Sequence, residues 1–137
     1  MITSTANAQV KELIRLMKKS RAREDAGVFI VEGPRMAGEL TDDPVWQERI
    51  ERVYLSESYA AKHKGETDDL RKTSRVEILA DNVFAHVSDT KTPQGILAVV
   101  KRKEYDLEDI IGGQQGISLV IVLDNLQDPG NLGTIFR

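Results

Sequence analysis

An asparagine and an arginine six positions apart, Asn131 and Arg137, are the residues whose types best suit chemistry on a polar substrate. An asparagine amide can orient a ligand or cap a helix, and a guanidinium binds phosphate oxygens through two parallel hydrogen bonds. The pair comes after the largely apolar residues 117–123, which predict a buried strand, and lies in a turn-rich segment that contains Gly130 and Gly133. We therefore expect a strand, a loop and a helix that starts at Asn131, an arrangement at which ligands bind in open α/β sheets.

The spacing of this pair limits how it can act. Gly130 and Gly133 permit a ligand to approach the backbone closely. In a helix that begins at Asn131, six residues turn Arg137 about 240° around the axis, so the two side chains share a site only if the loop turns Asn131 inward. Taken by itself, a Pro-Gly-Asn turn before a helix is typical of ordinary turns, and a Gly-x-x-Gly spacing without a Walker lysine does not establish phosphate binding.

Length and composition exclude several classes of protein. The 137 residues, 40% hydrophobic and 30% charged, allow one folded domain, or a small domain with a piece of another. No apolar run exceeds five residues, so we expect no membrane span, and the lack of a secretory signal favours the cytoplasm. Without cysteine there is no disulfide or thiol nucleophile, and with only His63 and His86 we expect no metal site.

The charges are distributed unevenly along the chain. Residues 1–23 carry a net charge of +5, whereas the remainder carries −8, which gives the overall −3. The basic residues considered for contact with a polyanion are Lys11, Arg15, Lys18, Lys19 and Arg21. Such an asymmetry predicts a segment that faces a polyanion on an otherwise acidic protein. The alternative is a solvated helix face followed by a charged loop.

Apolar patterns predict alternating helices and strands. Residues 7–19 form an amphipathic helix with Asn7 as its cap, residues 20–25 a polar connection, and residues 65–69 a polar loop. Four short strands are predicted, at residues 28–31, 50–55, 76–79 and 96–100. This order indicates an α/β layered domain with a largely parallel sheet. The charged and glycine-containing residues 101–116 are typical of a linker.

Three stretches of the sequence resemble one family. Residues 124–137 resemble the first motif of the SpoU (TrmH-like) RNA 2′-O-ribose methyltransferases, members of the SPOUT class with a knotted α/β fold. Asn131 and Arg137 match the invariant pair of that motif. Residues 29–35, Phe-Ile-Val-Glu-Gly-Pro-Arg, resemble the opening of the family's N-terminal RNA-binding domain, and residues 88–99 resemble its close.

The resemblance implies a division into three regions. Residues 1–100 would be an RNA substrate-binding domain of three layers, similar in fold to ribosomal proteins that bind kinked RNA. Residues 101–116 would be a linker, and residues 117–137 the first βα unit of a truncated SPOUT methyltransferase domain. Because the motifs that form the knot and the S-adenosylmethionine pocket follow the first motif in the family, we expect this chain to bind RNA but neither to bind the cofactor nor to catalyse.

The resemblance also assigns roles to residues. Arg137 would bind the target ribose and its phosphate, and Asn131 would orient Arg137 or the substrate, with a surface cation and a plain helix cap as the alternatives. Arginine stays protonated, so Arg137 is not assigned as a general base. Arg35 and Gln94 are expected to contact RNA, with a solvated helix residue and an ordinary turn as alternatives. Glu32 is expected to fix its loop or to pair with Arg35.

These features predict an S-adenosylmethionine-dependent 2′-O-ribose methyltransferase that acts on structured RNA, rRNA rather than tRNA. The parent protein would form a homodimer through parts of its catalytic domain outside this chain, and this fragment would be monomeric. The alternative is a non-catalytic RNA-binding module of the ribosomal-protein type, which would have no use for residues 117–137. A nucleotide-binding α/β protein would need a complete glycine-rich loop and an acidic ribose partner, and the sequence has neither.

Overall fold

The computed structural model describes residues 1–108 and 120–137 of the chain. They fall into two units, Met1–Arg102 and Lys103–Arg137. The strands are β1 (Val28–Glu32), β2 (Ile50–Ser56), β3 (Val76–Leu79) and β4 (Ile96–Lys101). The helices are α1 (Ala8–Lys18), α2 (Ser20–Ala26), α3 (Pro34–Asp42), α4 (Pro44–Gln47), α5 (Glu57–Lys62), α6 (Lys64–Thr73), α7 (Asp81–Val87) and α8 (Pro129–Ile135). No helix in this part of the chain has the length and apolar surface needed to cross a bilayer.

The four strands form one mixed sheet in the order β1-β4-β2-β3. Only β2 and β3 pair in parallel, whereas β4 is antiparallel to both of its neighbours. The prediction of a largely parallel sheet is therefore wrong. The first three strands do run in one direction, as the helices between them require, but β4 runs the opposite way and lies between β1 and β2. Its uninterrupted apolar residues suit a central strand that is covered on both faces.

Helices cover both faces of the sheet, so the first unit has two cores. Successive residues of β4 alternate between them: Leu97 and Val99 face one core, and Ile96, Ala98 and Val100 face the other. Buried side chains of α1, α2 and α7 complete the first core, at Val10, Leu13, Leu16, Ala22, Val83, Phe84 and Val87. Buried side chains of α3, α5 and α6 complete the second, at Ala37, Leu40, Tyr59 and Leu70. The first unit therefore has a helix–sheet–helix arrangement.

Two segments predicted as polar connections are helices. Residues 20–25 lie in α2, where Ala22 is buried in the first core, and residues 65–69 lie in α6, where Thr67 and Leu70 are buried. Each segment buries so few side chains that its composition resembles that of a loop. The predicted cap of α1 is confirmed, since the Asn7 side chain accepts a hydrogen bond from the Gln9 amide at 2.9 Å.

The second unit differs from the sequence prediction in two ways. Residues 120–123 are not in a strand and their side chains are exposed, while residues 117–119 and the linker residues 109–116 lie outside the described part of the chain. A strand needs hydrogen bonds from a neighbour, and no described residue supplies them to residues 120–123. In addition, α8 begins at Pro129 rather than at Asn131, because Asp128 caps it and proline suits the first helical position.

Candidate functional site

The two stretches of the first unit that carry the family resemblance meet at one edge of the sheet. Because β4 is antiparallel to β1 and β2, its first residue lies beside the last residues of those strands. The amide of Gly33 donates to the carbonyl of Ile96 at 3.0 Å, and the amide of Ser56 donates to the carbonyl of Gly95 at 2.9 Å. Residues 29–35 and 88–99 therefore form one surface, which we call the β1–β4 edge.

Glu32 fixes the loop of residues 88–95 that leads into β4. Its Oε1 atom accepts a hydrogen bond from Ser88 Oγ and a second, of 2.9 Å, from Thr90 Oγ1. The Ser88 hydroxyl also accepts from the Thr90 amide at 3.2 Å, which closes the start of the loop. Glu32 was expected to fix its own loop or to pair with Arg35, but its hydrogen bonds hold loop 88–95 instead, and no ion pair with Arg35 is found among the described residues.

Two glycines bring the backbone of this edge into close contact with its neighbours. Gly33 and Gly95 have φ angles of 103° and 85°, a region that side-chain-bearing residues rarely adopt. A Cβ atom on Gly33 would lie 2.8 Å from Oε1 of Gln94, and one on Gly95 would lie 2.7 Å from Cβ of Tyr59. These approaches place the exposed Gln94 side chain against the start of α3 and place the loop against α5.

Arg35 lies in the first turn of α3, next to this edge. Its side chain is 91% exposed and pairs with Glu39 one turn later, with 3.5 Å between Nε and Oε1. An exposed pair of this kind contributes little to stability, so the guanidinium can exchange its partner for a phosphate at small cost. Arg35 and Gln94 therefore lie on the same edge, as a shared RNA contact would require.

The start of α5 adds a hydrogen-bonded connection to the start of α7. The Ser56 hydroxyl caps this helix by accepting from the Tyr59 amide at 3.1 Å. The Ser58 amide donates to the Asp81 carboxylate at 3.0 Å, and this hydrogen bond lowers the pKa of Asp81. The segment from Ser56 to Tyr59 is therefore held from both sides, which gives the cleft beside it a fixed wall.

Sequence reasoning missed a cleft of about 420 Å³ between α5 and loop 88–95. The polar side chains along it are Ser56, Ser58, Tyr59, Lys62, His63 and Gln94. From the sequence, His63 was considered only as a possible metal ligand, and neither Tyr59 nor Lys62 was considered. Their sequence neighbourhood predicts only a short amphipathic helix, because the cleft requires loop 88–95 to pack against it. A signal was present in Gly95, whose positive φ permits that packing.

The predicted basic residues lie on α1, on α2 and at their junction, and all of them are exposed: Lys11, Arg15, Lys18, Lys19 and Arg21. Arg15 forms two hydrogen bonds with Glu12, of 2.7 and 2.8 Å, which lower the pKa of Glu12 and raise that of Arg15. The other four form no ion pair with any described residue. Arg23, by contrast, donates to the carbonyls of Leu16 and Met17 and so ends α1.

The basic helices belong to the layer opposite α3, yet their junction lies near the β1–β4 edge. A second cleft, of about 270 Å³, is lined by Met17 and Arg23 from the junction and by Glu32 from the end of β1. The junction that carries Lys18, Lys19 and Arg21 therefore borders the residue that fixes loop 88–95. One polyanion that runs from the α1–α2 junction to the β1–β4 edge would contact both the basic residues of the junction and the pair Arg35 and Gln94.

In the second unit, the structure gives Asn131 and Arg137 positions that differ from the prediction. The cap of α8 is Asp128, whose Oδ1 accepts from the amides of Gly130 at 2.7 Å and Asn131 at 3.4 Å. Asn131 thus lies inside the first turn rather than at the cap. Arg137 follows the end of α8 at Ile135, so the predicted angular separation around a helix does not apply to it. Both side chains are exposed.

Comparison with known proteins connects this geometry to a family. Residues 7–98, from the start of the first helix into β4, match the family described as the MRM3-like substrate binding domain. The chain belongs to this family. The MRM3-like domain thus contains both the α1–α2 junction and the β1–β4 edge, so the two surfaces described above belong to the part of the chain that the family defines.

Relatives of the MRM3-like domain are methyltransferases. The chain is 29% identical over 136 residues to the 23S rRNA (guanosine(2553)-2′-O)-methyltransferase RlmP of Bacillus subtilis (strain 168), covering 99% of this chain and 48% of that protein. It is similar to the crystal structure of an RNA 2′-O ribose methyltransferase, with a TM-score of 0.63 and 26% identity, covering 98% of this chain and 49% of that one. These findings confirm the resemblance to the SpoU (TrmH-like) methyltransferases.

A third similarity concerns the fold alone. The AdoMet-bound rRNA methyltransferase from Sinorhizobium meliloti matches with a TM-score of 0.61 and 18% identity, covering 84% of this chain and 41% of that one. The chain therefore spans less than half the length of each of these three proteins.

Proposed function

We propose that this chain is the substrate-binding domain, a linker and the N-terminal segment of the catalytic domain of an S-adenosylmethionine-dependent 2′-O-ribose methyltransferase that acts on rRNA. One observation carries the proposal: residues 29–35 and 88–99 meet at the β1–β4 edge, where Glu32 holds the loop that presents Gln94. The rRNA methyltransferase RlmP, which matches nearly the whole chain, supports the assignment to rRNA.

The first unit would position the RNA by contacts with its backbone and shape. Lys18, Lys19 and Arg21 at the α1–α2 junction would pair with phosphates, and Arg35 would bind a further phosphate at the start of α3. Gln94 would contact a nucleotide through its amide, which both donates and accepts hydrogen bonds. Side chains of this kind fix the orientation of an RNA, which methyl transfer to one chosen ribose requires.

In the parent enzyme, Arg137 would bind the phosphate next to the target ribose and Asn131 would orient that arginine or the ribose. A 2′-hydroxyl is a poor nucleophile, so the reaction depends on aiming it at the methyl group that S-adenosylmethionine supplies when bound. A guanidinium is suited to this task because two parallel hydrogen bonds fix the direction of the phosphate. We assign no proton transfer to Arg137.

The described residues of the second unit do not fit the cofactor by themselves. All of them are exposed except Leu132 and Gly133, which are half-buried, so they enclose no pocket. We propose that these 137 residues bind RNA but neither S-adenosylmethionine nor a second copy of the chain, and that pairing of the parent enzyme requires its catalytic domain. No catalytic step is therefore assigned to the chain alone.

Titration calorimetry and an RNA-binding assay test this proposal together. The 137-residue chain should bind a structured rRNA fragment with an affinity that falls steeply between about 50 and 200 mM salt, and should give no heat with S-adenosylmethionine. Absent or salt-independent RNA binding would contradict the RNA assignment. Clear binding of S-adenosylmethionine would show that the cofactor site lies within these residues.

A further inference from the structure

The cleft between α5 and loop 88–95 differs in charge from the rest of this acidic chain. None of its described lining residues is acidic, and Lys62 gives it positive character. Its volume of about 420 Å³ falls within the roughly 300–1,000 Å³ typical of small-ligand sites. A single nucleotide suits a cleft of this size and charge, whereas a duplex is too wide to enter it.

Two rings form a rigid platform in this cleft. Tyr59 and His63 are stacked, with 4.4 Å between ring centroids and an angle of 22° between planes. Glu66 holds the inner ring, because it accepts a hydrogen bond of 2.9 Å from the Tyr59 hydroxyl, and its other oxygen lies 3.6 Å from Nδ1 of His63. Tyr59 is 8% exposed, whereas 39% of the His63 side chain is exposed, so the imidazole is the outer ring. Bases stack readily on such rings.

Hydrogen-bonding groups surround this platform. Lys62, at the end of α5, supplies an ammonium group for a phosphate, and Ser58 supplies a hydroxyl. Gln94 lies on the opposite side, on the loop that Glu32 fixes, and its amide can both donate to and accept from the edge of a base. A ring platform and a cation at the end of α5, with an amide on loop 88–95 across the cleft, are the groups that a nucleotide requires.

We propose that this cleft binds one unstacked nucleotide of the RNA substrate, with its base on His63, its phosphate at Lys62 and its base edge at Gln94. The inference rests on the proposed RNA-binding function and adds a substrate class to it, namely RNA with an unpaired nucleotide. Sequence-specific RNA recognition generally uses nucleotides that are free of the helix stack, because A-form helices hide their base edges.

Binding of two RNAs to the full 137-residue chain tests the inference. One is a hairpin with a single-nucleotide bulge that carries 2-aminopurine, and the other is the same hairpin without the bulge. We expect the bulged RNA to bind at least about tenfold more tightly and the 2-aminopurine fluorescence to be quenched by stacking. Equal affinity for the two RNAs, or unchanged fluorescence, would overturn the inference.

Variants of the platform separate stacking from folding. His63→Ala should weaken binding of the bulged RNA about tenfold, whereas His63→Phe, which keeps a stacked ring, should retain most of the affinity. Lys62→Ala should make the negative slope of log affinity against log salt shallower by about 0.7, the value for one phosphate on a single strand. Gln94→Ala, at an exposed position, should weaken binding without any loss of thermal stability.

Matched controls identify which proposal fails. Lys72→Ala, at the exposed end of α6, removes a lysine outside the cleft and should leave binding unchanged. If the chain binds neither RNA, the proposed function itself fails. If it binds RNA and His63→Ala and Lys62→Ala change neither the affinity nor the salt dependence, only this inference fails. Binding of free AMP or GMP as tightly as the bulged RNA would make the cleft a small-molecule site and would also overturn it.

Discussion

The Glu32 carboxylate and the Ser88 hydroxyl are joined by a hydrogen bond across 56 positions of the sequence. Glu32 is the last residue of β1, and Ser88 directly follows α7. Their contact connects the end of an edge strand to the start of the loop that enters the central strand β4. The position of Gln94 at the candidate RNA surface therefore depends on an acidic residue that is not itself expected to touch RNA.

Replacing Glu32 by alanine should loosen loop 88–95 while leaving the fold intact. The change removes the acceptor of the Ser88 and Thr90 hydroxyls, and we expect the free energy of unfolding to fall by about 1–2 kcal/mol. Amide hydrogen exchange should increase in residues 88–95 and RNA affinity should decrease. Glu39→Ala, which removes only the exposed partner of Arg35, is the control and should change stability by less than about 0.5 kcal/mol. Unchanged exchange in the loop would contradict this role of Glu32.

Alanine at two glycines should have opposite effects on stability. Gly95→Ala places a Cβ atom 2.7 Å from Cβ of Tyr59 at a φ of 85°, so we expect a loss of about 2–4 kcal/mol. Gly65→Ala, within α6, meets nothing within 4 Å and should stabilise the chain by about 0.5–1 kcal/mol. Urea denaturation measures both. A Gly95→Ala chain as stable as the wild type would show that the loop does not pack closely on α5.

Reversing charges at the α1–α2 junction should weaken RNA binding strongly. Glutamate at Lys18, Lys19 and Arg21 removes three exposed cations that have no ion-pair partner among the described residues. We expect affinity at about 50 mM salt to fall at least a hundredfold and the salt dependence to become shallower, because fewer counterions are released. Filter binding over a salt series measures both quantities.

A matched triple variant distinguishes local contacts from net charge. Glutamate at Lys64, Arg71 and Lys72 makes the same change in charge on α6, which lies in the opposite helical layer from α1 and α2. This control should weaken binding far less than the junction variant. Equal weakening by both triple variants would mean that overall charge, rather than the α1–α2 junction, governs the interaction.

Tyr59 should make the stability of the chain depend on pH in the alkaline range. Burial, together with the hydrogen bond to Glu66, raises the pKa of Tyr59 from 10.0 to about 12. Because the folded-state pKa is the higher one, the stabilisation is complete below about pH 10 and is lost as the pH rises towards about 12, where the unfolded chain has already released the proton. Denaturation curves at several pH values should show this fall, and Tyr59→Phe should reduce it. An identical pH dependence in the variant would contradict the assignment.

The sequence determined the local elements wherever one periodic pattern was sufficient. The amphipathic α1 with its Asn7 cap, the helix capped by Ser56 and the positions of the four strands follow from side-chain spacing and capping chemistry. The family resemblance likewise rests on short ordered stretches, which a sequence displays directly. The polar helices α2 and α6 were missed because each buries too few residues to produce a pattern.

Only the tertiary structure decided how these elements meet. The direction of β4 cannot be derived from its apolar residues, since a buried strand has the same composition whether it runs parallel or antiparallel to its neighbours. That direction brings Gly33 to Ile96, Glu32 to Ser88, and loop 88–95 to Tyr59 and His63. The sequence by itself determined that this chain has residues suited to binding RNA. Its tertiary structure decided which of them share a surface, because contacts between residues far apart in sequence depend on strand order.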